Sequence, residues 1–453
     1  MAARSAGAGK IEKPMRTGFA RLRGTALMLV GSAVIVAGLW GWWDYHADGL
    51  VEAQIERMKQ AGEPVDLDEW MEVPAVPDAE NRAKLWTAAF NAIGNVDCPS
   101  SSNMTYSGPP FPAEWFAMEK AAVTANANCL ELSRRARALK GLDWGWRSAQ
   151  GVMPLLPKFN YARSLTNQLS DAALYAHFHD RDDATAIERW EDALQLARDV
   201  GRTPVLIAYL VQTGQEAKAM SDIREAAPDL LVGEATDHVR PASRKAVMGL
   251  IAELADEDTY VSEEEYDLQG DEAFSIGYRQ SSGFVVLAPL WTLQLARRVA
   301  AMGDLAGQVD ATRGETAAAQ PLTPPGSLPP EVIPGLQPKL LLDTEWKMRV
   351  DRRAAEISLA VRLFRIDHHR WPKDLQELVP TYLAMVPRDP FLPGTPPVHY
   401  VVIHDAPPKG MDRPMIYFDV LGKDGGTKPP TTRPMYDDWG SSRSQQWFDL
   451  SRW

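Results

Sequence analysis

Residues 25–43 read TALMLVGSAVIVAGLWGWW, and this stretch decides how the chain is organised because it contains no charged residue. A helix of this length nearly crosses the hydrocarbon core of a bilayer, with its backbone polar groups satisfied internally. Trp40, Trp42 and Trp43 gather at its C-terminal end, where an aromatic belt meets the membrane surface. The sequence therefore predicts one transmembrane helix, in contact with membrane lipid, over residues 25–43.

The charges on either side of this segment predict its orientation. Residues 1–24 form a basic tail with a single acid, Glu12, whereas Asp44, Asp48 and Glu52 follow the tryptophans. Positively charged flanks stay on the cytoplasmic side of a membrane. We therefore expect a single-pass protein of the inner (plasma) membrane, with a cytoplasmic N-terminus and its bulk on the periplasmic or extracytoplasmic side.

Two other interpretations of the N-terminus exist. A cleaved signal peptide would have an unusually long basic region here, and the apolar run ends in tryptophans instead of a small-x-small cleavage site. A pilin-type leader would be cut near Gly18-Phe19, but Arg21 and Arg23 follow where that family has apolar residues and a glutamate. We favour the uncleaved anchor.

Composition limits what the rest of the 453-residue chain does. Its formal net charge of −12 argues against general nucleic-acid binding, which requires a basic face for phosphates. Cys98 and Cys129 are its two cysteines, so the sequence holds no thiolate metal cluster. In an oxidising compartment they could form one disulfide, and two separate buried thiols are the alternative.

Residues 47–311 show helical periodicity and are expected to form a bundle or an irregular helical-hairpin domain. Three consecutive helices are predicted at about 164–179, 184–200 and 204–225, with Asp183 opening the second and Thr203-Pro204 the third. The apolar run 284–295 is too short to be a second span and is predicted to be a buried helix. Residues 312–338 are rich in proline and predict an extended linker.

Residues 339–453 predict a small α+β domain. Trp346, Val350, Ala354, Ile357, Val361 and Phe364 recur at helical spacing and indicate a long amphipathic helix over 344–367. Strand-like runs follow at 398–402 and 415–421, separated by glycine- and proline-rich turns. The fold class is thus mainly α, with one membrane helix and a long helix packed on a small antiparallel sheet at the C-terminus.

The order of motifs in this C-terminal part resembles the head of type II secretion major pseudopilins. The matching pieces are Arg370-Trp371-Pro372, Leu375, Leu378, Tyr382-Leu383, 386–391 (VPRDPF), Gly394, Pro397, Tyr400, 421–425 (LGKDG) and 437–439 (DDW). Most of the chain, including 74–88 (VPDAENRAKLWTAAF), is also similar to a family of uncharacterised bacterial single-pass membrane-anchored proteins. The first resemblance implies a pseudopilin-like head, and the second implies architecture without an activity.

The pseudopilin resemblance also implies a calcium site. In that family the loop after the glycine-x-aspartate-glycine turn binds calcium, which carries over to Asp424 and to Asp437 or Asp438. Calcium takes six or more oxygen ligands, which carboxylates and loop carbonyls supply. A solvated Asp-Gly turn is the alternative, and this chain differs from the family by Lys423 and a proline-rich stretch at 428–434.

The sequence predicts no catalytic residue and no cofactor other than this calcium. It has no HExxH helix and no GxSxG elbow. His177 and His179 lie two apart on a helix, where they face different directions, so we interpret them as surface histidines at a helix end. The favoured hypothesis is a membrane-tethered, non-enzymatic protein-interaction or assembly module of the cell envelope with an unidentified protein partner. The alternative is an envelope hydrolase that uses acidic residues of the helical domain, at 253–272.

Overall fold

The computed structural model describes most of the helical part of the chain. The described residues are 16–66, 76–102, 104, 108–147, 150–151, 153–236, 239–257, 259, 269–270, 272–273, 276, 288–310, 338–390, 396–406, 411–419 and 445–450.

Within these residues the fold is mainly helical, as predicted, with one small antiparallel sheet. The helices are α1 (Arg16–Ala61), α2 (Arg82–Asn91), α3 (Ala113–Ala125), α4 (Ala127–Arg137), α5 (Leu155–Tyr175), α6 (Asp183–Gly201), α7 (Leu206–Ala226), α8 (Arg244–Ala255), α9 (Ala288–Asp310) and α10 (Pro338–His368). The strands are β1 (His399–Ala406), β2 (Met411–Asp419) and β3 (Gln445–Asp449).

The helix α1 is longer than the predicted membrane span. It runs for 46 residues without interruption, so the apolar segment and the chain beyond it belong to one helix. Its apolar half is exposed, whereas Ala47, Val51 and Met58 in its C-terminal half are at most 1% exposed. This second half packs against α9, so the predicted boundary between anchor and body falls inside a continuous element.

Three consecutive helices, α5, α6 and α7, pack on one another and form the centre of the core, as the apolar periodicity indicates. All three starts differ from the prediction, and α5 begins at Leu155, nine residues before the predicted start at about 164. The cap of α6 is Asp182, whose side chain accepts a hydrogen bond from the Thr185 amide, and Asp183 is buried inside the first turn. The helix α7 begins at Leu206, two residues after Pro204, without a side-chain cap.

The long helix α10 packs against both α7 and α8. Val350, Ala354, Ile357, Val361 and Phe364 of the predicted stripe are buried, and so are residues on other faces, among them Ala355, Leu359 and Leu363. The helix is therefore enclosed on several sides, by α7 and α8 among its neighbours. The division of the chain at 312–338 stays a prediction, because that linker lies almost wholly outside the described residues.

The sheet has the order β1-β2-β3, and both pairings are antiparallel. The first two strands overlap the two predicted runs, 398–402 and 415–421, whereas β3 was not predicted. It is placed by pairing with β2, in a register that sets Ile416 opposite Phe448. A three-stranded antiparallel sheet after a long helix is compatible with a pseudopilin-like head, which stays a prediction.

Candidate functional site

The largest exposed apolar surface on the described residues is the first half of α1. Leu27, Met28, Leu29, Val34 and Trp42 are each more than 60% exposed. The surfaces of soluble monomers rarely keep apolar side chains together in this way. Within the described part of the chain, Gly24–Ala61 is the one helix that is long enough and contains an 18-residue window apolar enough, with a mean hydropathy of 1.8, to cross a bilayer. The prediction of one membrane-compatible N-terminal helix is confirmed at this level.

Ion pairs, in addition to apolar packing, hold the second half of α1 against the rest of the protein. Arg57 lies 3.1 Å from a carboxylate oxygen of Glu272, which is fully buried. Burial raises the pKa of Glu272 to about 8, and the positive charge of Arg57 opposes that shift. The guanidinium also lies 3.5 Å from Glu63. Arg57 thus links α1 to Glu63, in the chain that follows α1, and to Glu272, a buried acid that is distant in sequence.

The predicted calcium ligands Asp424, Asp437 and Asp438 all lie outside the described residues. Elsewhere in the described chain, no group of three or more histidine, cysteine, aspartate or glutamate side chains is arranged to hold a metal ion. The calcium site therefore stays a prediction that follows from the resemblance.

The two histidines of the α5–α6 junction have separate partners. His177 is 6% exposed and its Nδ1 lies 2.5 Å from Asp183, so its interpretation as a surface residue is wrong. His179 is exposed, pairs with Asp180 and stacks on Tyr175. Asp183 also accepts a hydrogen bond from the amide of Leu231. A π-helical turn over Ala176–Asp180, which the periodicity did not reveal, carries the first histidine inward.

Cys98 and Cys129 are both free and both fully buried. Of the two interpretations of the sequence, separate buried thiols is therefore the one that the structure shows. Burial raises the pKa of Cys129 to about 12 and raises that of Cys98 beyond the ordinary thiol range. With these raised pKa values both thiols stay protonated at neutral pH, and neither acts as a nucleophile because the thiolate is the reactive form.

The acidic stretch 253–272 is described only in part. Glu253 pairs with Arg198, Glu257 pairs with Arg353, and Glu272 pairs with Arg57. Each of these three acids lies beside an arginine and joins separate elements. The described acids of this stretch thus have structural roles, and no observation among them favours the hydrolase hypothesis.

A different set of buried acids lies in the core between α3, α5 and α7. We call it the Asp171 cluster: Ser100, Glu119, Asp171, Lys218 and Asp222. Asp171 accepts hydrogen bonds from the amide and the hydroxyl of Ser100, at 2.7 and 2.6 Å. Lys218 bonds Asp222 at 2.6 Å and Asp171 at 3.4 Å. The three carboxylates are at most 6% exposed, so the cluster is a part of the core.

The electrostatics of the Asp171 cluster favour the protonated form of Glu119. Burial, and then the negative charge of Asp171, raise the pKa of Glu119 to about 9. Neither carboxyl oxygen of Glu119 has a hydrogen-bond partner. Burial also raises the pKa of Asp222 to about 6, against the opposing charge of Lys218. Glu119 is therefore neutral near pH 7, and the positive charge of Lys218 offsets one of the two remaining carboxylates.

The members of this cluster come from residues 100–222, and nothing in their local patterns identifies them as partners. The pair Lys218–Asp222 has the i, i+4 spacing of a helical ion pair, which is the one signal that the sequence carries. An exposed pair of this kind is common and predicts little. The burial that makes it significant is a property of the packing of three helices.

Comparison with protein-family models, with curated proteins and with solved structures finds no match for this chain. Its function is therefore argued from the geometry of its own residues.

Proposed function

We propose that this protein is a membrane-tethered, non-enzymatic interaction or assembly module of the cell envelope. It has its N-terminus in the cytoplasm and its body on the periplasmic or extracytoplasmic face of the inner membrane. The observation that carries this proposal is the continuity of α1, which is exposed and apolar at one end and buried in the body at the other.

Continuity of the helix supports a body held close to the lipid. Ala47 is already buried four residues after Trp43, the last residue of the predicted aromatic belt. At about 1.5 Å per residue, these two positions are about 6 Å apart along the helix axis. A flexible tether would let the body explore a large volume, whereas this arrangement favours a partner that is itself in or at the membrane.

The buried charges support a binding scaffold more than an active site. Arg352 pairs with Glu216, Arg82 pairs with Asp199, and Arg137 pairs with Asp192, each within 3.1 Å. Each of these pairs joins two different helices. The resemblance to pseudopilins, which assemble with other proteins, supports an assembly role.

The orientation is tested by labelling engineered cysteines with a membrane-impermeant maleimide. Ser5→Cys places a thiol in the basic tail, and Ala117→Cys places one on the exposed face of α3. The buried native cysteines give a low background without being replaced. We expect intact spheroplasts to label Ala117→Cys and to label Ser5→Cys only after permeabilisation. The reverse pattern, or equal labelling of both, would remove the proposed topology.

The tether and the partner are tested on membranes from cells that produce the full chain. We expect the intact chain to resist carbonate extraction and to enter solution only with detergent. Crosslinking in intact cells followed by mild detergent should yield one stoichiometric adduct with a second membrane-associated protein. Recovery of the chain in the cytosolic fraction would contradict the tether, and a chain that stays uncrosslinked and monomeric would contradict the interaction role.

A further inference from the structure

The end of α10 lines an open, positively charged cleft that none of the preceding roles uses. We call it the arginine cleft. Its volume is about 470 Å³, and its lining residues are Pro228, Asp229, Arg362, Arg365, Ile366 and His369. Arg362, Arg365 and Ile366 recur at i, i+3 and i+4, so they lie on one face of the helix end, and His369 follows the helix with a left-handed backbone. The opposite wall is the short turn Ala227–Asp229 that follows α7.

Both arginines of the cleft are held in place by contacts that leave their charge unneutralised. The Nε of Arg362 donates a hydrogen bond to the carbonyl oxygen of Leu230 at 2.8 Å. The guanidinium of Arg365 lies over the ring of Trp371, 4.0 Å from its centroid. Neither arginine forms an ion pair with any acid in the described part of the chain.

Other partly buried arginines of this protein behave differently. Arg224 pairs with Asp351, Arg352 with Glu216, and Arg353 with Glu257. The chain thus neutralises guanidinium groups where it encloses them, and the arginine cleft departs from that pattern. Removing a charge from water without a partner is unfavourable, so such an arrangement persists where something offsets it.

The pKa values of these two arginines reflect the cost of leaving them without an ion pair. Burial lowers the pKa of Arg365, and burial together with the neighbouring charge of Arg365 lowers that of Arg362. Asp229 opposes both shifts from across the cleft. Arginine stays protonated at physiological pH, so this strain is carried as electrostatic energy that a bound anion would relieve.

We infer that the arginine cleft binds an oxyanion of the phosphate class. Two preoriented guanidinium groups present planar forks of N–H donors, which match the oxygen spacing of phosphate. Among the residues that line the cleft, two guanidinium groups face one carboxylate, Asp229, which leaves a net positive field there, and Asp183 acts on Arg362 from outside this lining. A doubly charged phosphate gains more from that field than a singly charged carboxylate, because Coulomb energy scales with the charge of the ligand.

The test uses the full chain in phosphatidylcholine nanodiscs, titrated with inorganic phosphate at constant ionic strength and followed by calorimetry and by the midpoint of thermal unfolding. We expect saturable binding and a rise in the midpoint that chloride does not reproduce. Arg365→Gln should weaken the affinity at least about tenfold, since it removes a charge-assisted contact. Asp229→Asn should strengthen it severalfold, because a competing negative charge disappears.

The matched control is Arg134→Gln, which removes an exposed arginine that pairs with Glu131 on α4. It should leave phosphate binding unchanged. Phosphate affinity that is equal in wild type and Arg365→Gln, or that falls in Asp229→Asn, would overturn the assignment. The two cleft variants change affinity in opposite directions, so general destabilisation cannot produce the expected result.

A second arm distinguishes a free phosphate from a lipid headgroup with the same chemistry. Nanodiscs that contain phosphatidylglycerol should compete with inorganic phosphate for wild type if a lipid headgroup is the natural occupant. Equal phosphate affinity in the two kinds of nanodisc would assign the cleft to a soluble ligand. Absence of phosphate binding in both would refute the site.

Discussion

Arg352 on α10 and Glu216 on α7 form an ion pair at 3.1 Å in which both side chains are 1% exposed. The same guanidinium donates hydrogen bonds to the carbonyl oxygens of Leu254 and Glu253, at the end of α8. Gln212 donates a further hydrogen bond to Glu216. One side chain therefore joins three helices and satisfies carbonyls that a helix end leaves without partners.

Replacing Arg352 with alanine should destabilise the fold strongly. Removing one partner of a buried pair leaves an uncompensated charge, which typically costs about 3–5 kcal/mol. We expect the free energy of unfolding, measured by tryptophan fluorescence in denaturant on the detergent-solubilised chain, to fall by that amount. Arg134→Ala is the control and should leave it nearly unchanged, because its pair with Glu131 is exposed. Equal effects of the two substitutions would show that the buried pair contributes no more to the free energy of unfolding than the exposed pair.

Glu119 should make the protein less stable as the pH rises. Its pKa in the folded state is raised to about 9 from an ordinary 4.5, so the folded protein holds a proton that the unfolded chain releases. Its contribution to stability is complete below pH 4.5 and declines as pH rises toward 9, by up to about 1.4 kcal/mol per pH unit. Glu119→Gln should remove this decline.

The measurement compares unfolding free energies of wild type and Glu119→Gln from pH 5 to pH 8. Asp171, Lys218 and Asp222 face Glu119 in both proteins, so the difference between the two curves isolates the glutamate. Glu114→Gln, on the exposed side of the same helix, serves as the control and should follow wild type. Parallel curves for wild type and Glu119→Gln would contradict the buried neutral carboxyl.

Cys98 and Cys129 should be unreactive in the folded protein and fully reactive after unfolding. Both thiols are free, buried and have a raised pKa, so the thiolate that reacts with iodoacetamide is scarce. Mass spectrometry should show no adduct on native protein at pH 8 and two adducts in denaturant without a reductant. An unmodified denatured chain would instead reveal a disulfide.

Two glycine substitutions should have opposite effects. A methyl group at Gly270 would lie 2.3 Å from the Cβ of Pro204 and 2.5 Å from its carbonyl oxygen, so the backbone would have to move. Gly270→Ala should cost roughly 1–3 kcal/mol of unfolding free energy. Gly249 lies on an exposed face of α8 with open space around it, and Gly249→Ala should stabilise by about 0.5–1 kcal/mol. A neutral Gly270→Ala would show that the close approach to Pro204 is not required.

Arg57→Ala should loosen α1 from the body without releasing the chain from the membrane. The substitution leaves the buried carboxylate of Glu272 without its positive partner. Hydrogen exchange should rise in the second half of α1 and in α9, which pack together. Carbonate resistance should be unchanged, because the exposed apolar half of α1 is unaltered. Unchanged exchange in both helices would mean that apolar packing alone fixes the junction.

Local pattern was sufficient for much of the fold. A run without charges predicted the exposed half of α1, and helical periodicity predicted α5, α6, α7 and α10. Alternating apolar residues predicted β1 and β2. These features depend on neighbours within a few turns of chain, and burial of an apolar face requires the same spacing in any protein. The helix α7 starts two residues later than predicted, and Pro204 lies close to Gly270, a contact that no local rule contains.

Tertiary structure decided the features on which the candidate sites depend. The sequence by itself established the one membrane-compatible helix and the mainly helical class. Packing determined that Glu119 lies near Asp171, that β3 pairs with β2, and that Arg362 and Arg365 share a cleft in which neither forms an ion pair with a described residue. The physical reason is that hydrophobic periodicity is a property of residues close together in sequence. The partner of a buried charge, in contrast, depends on which distant helices pack together.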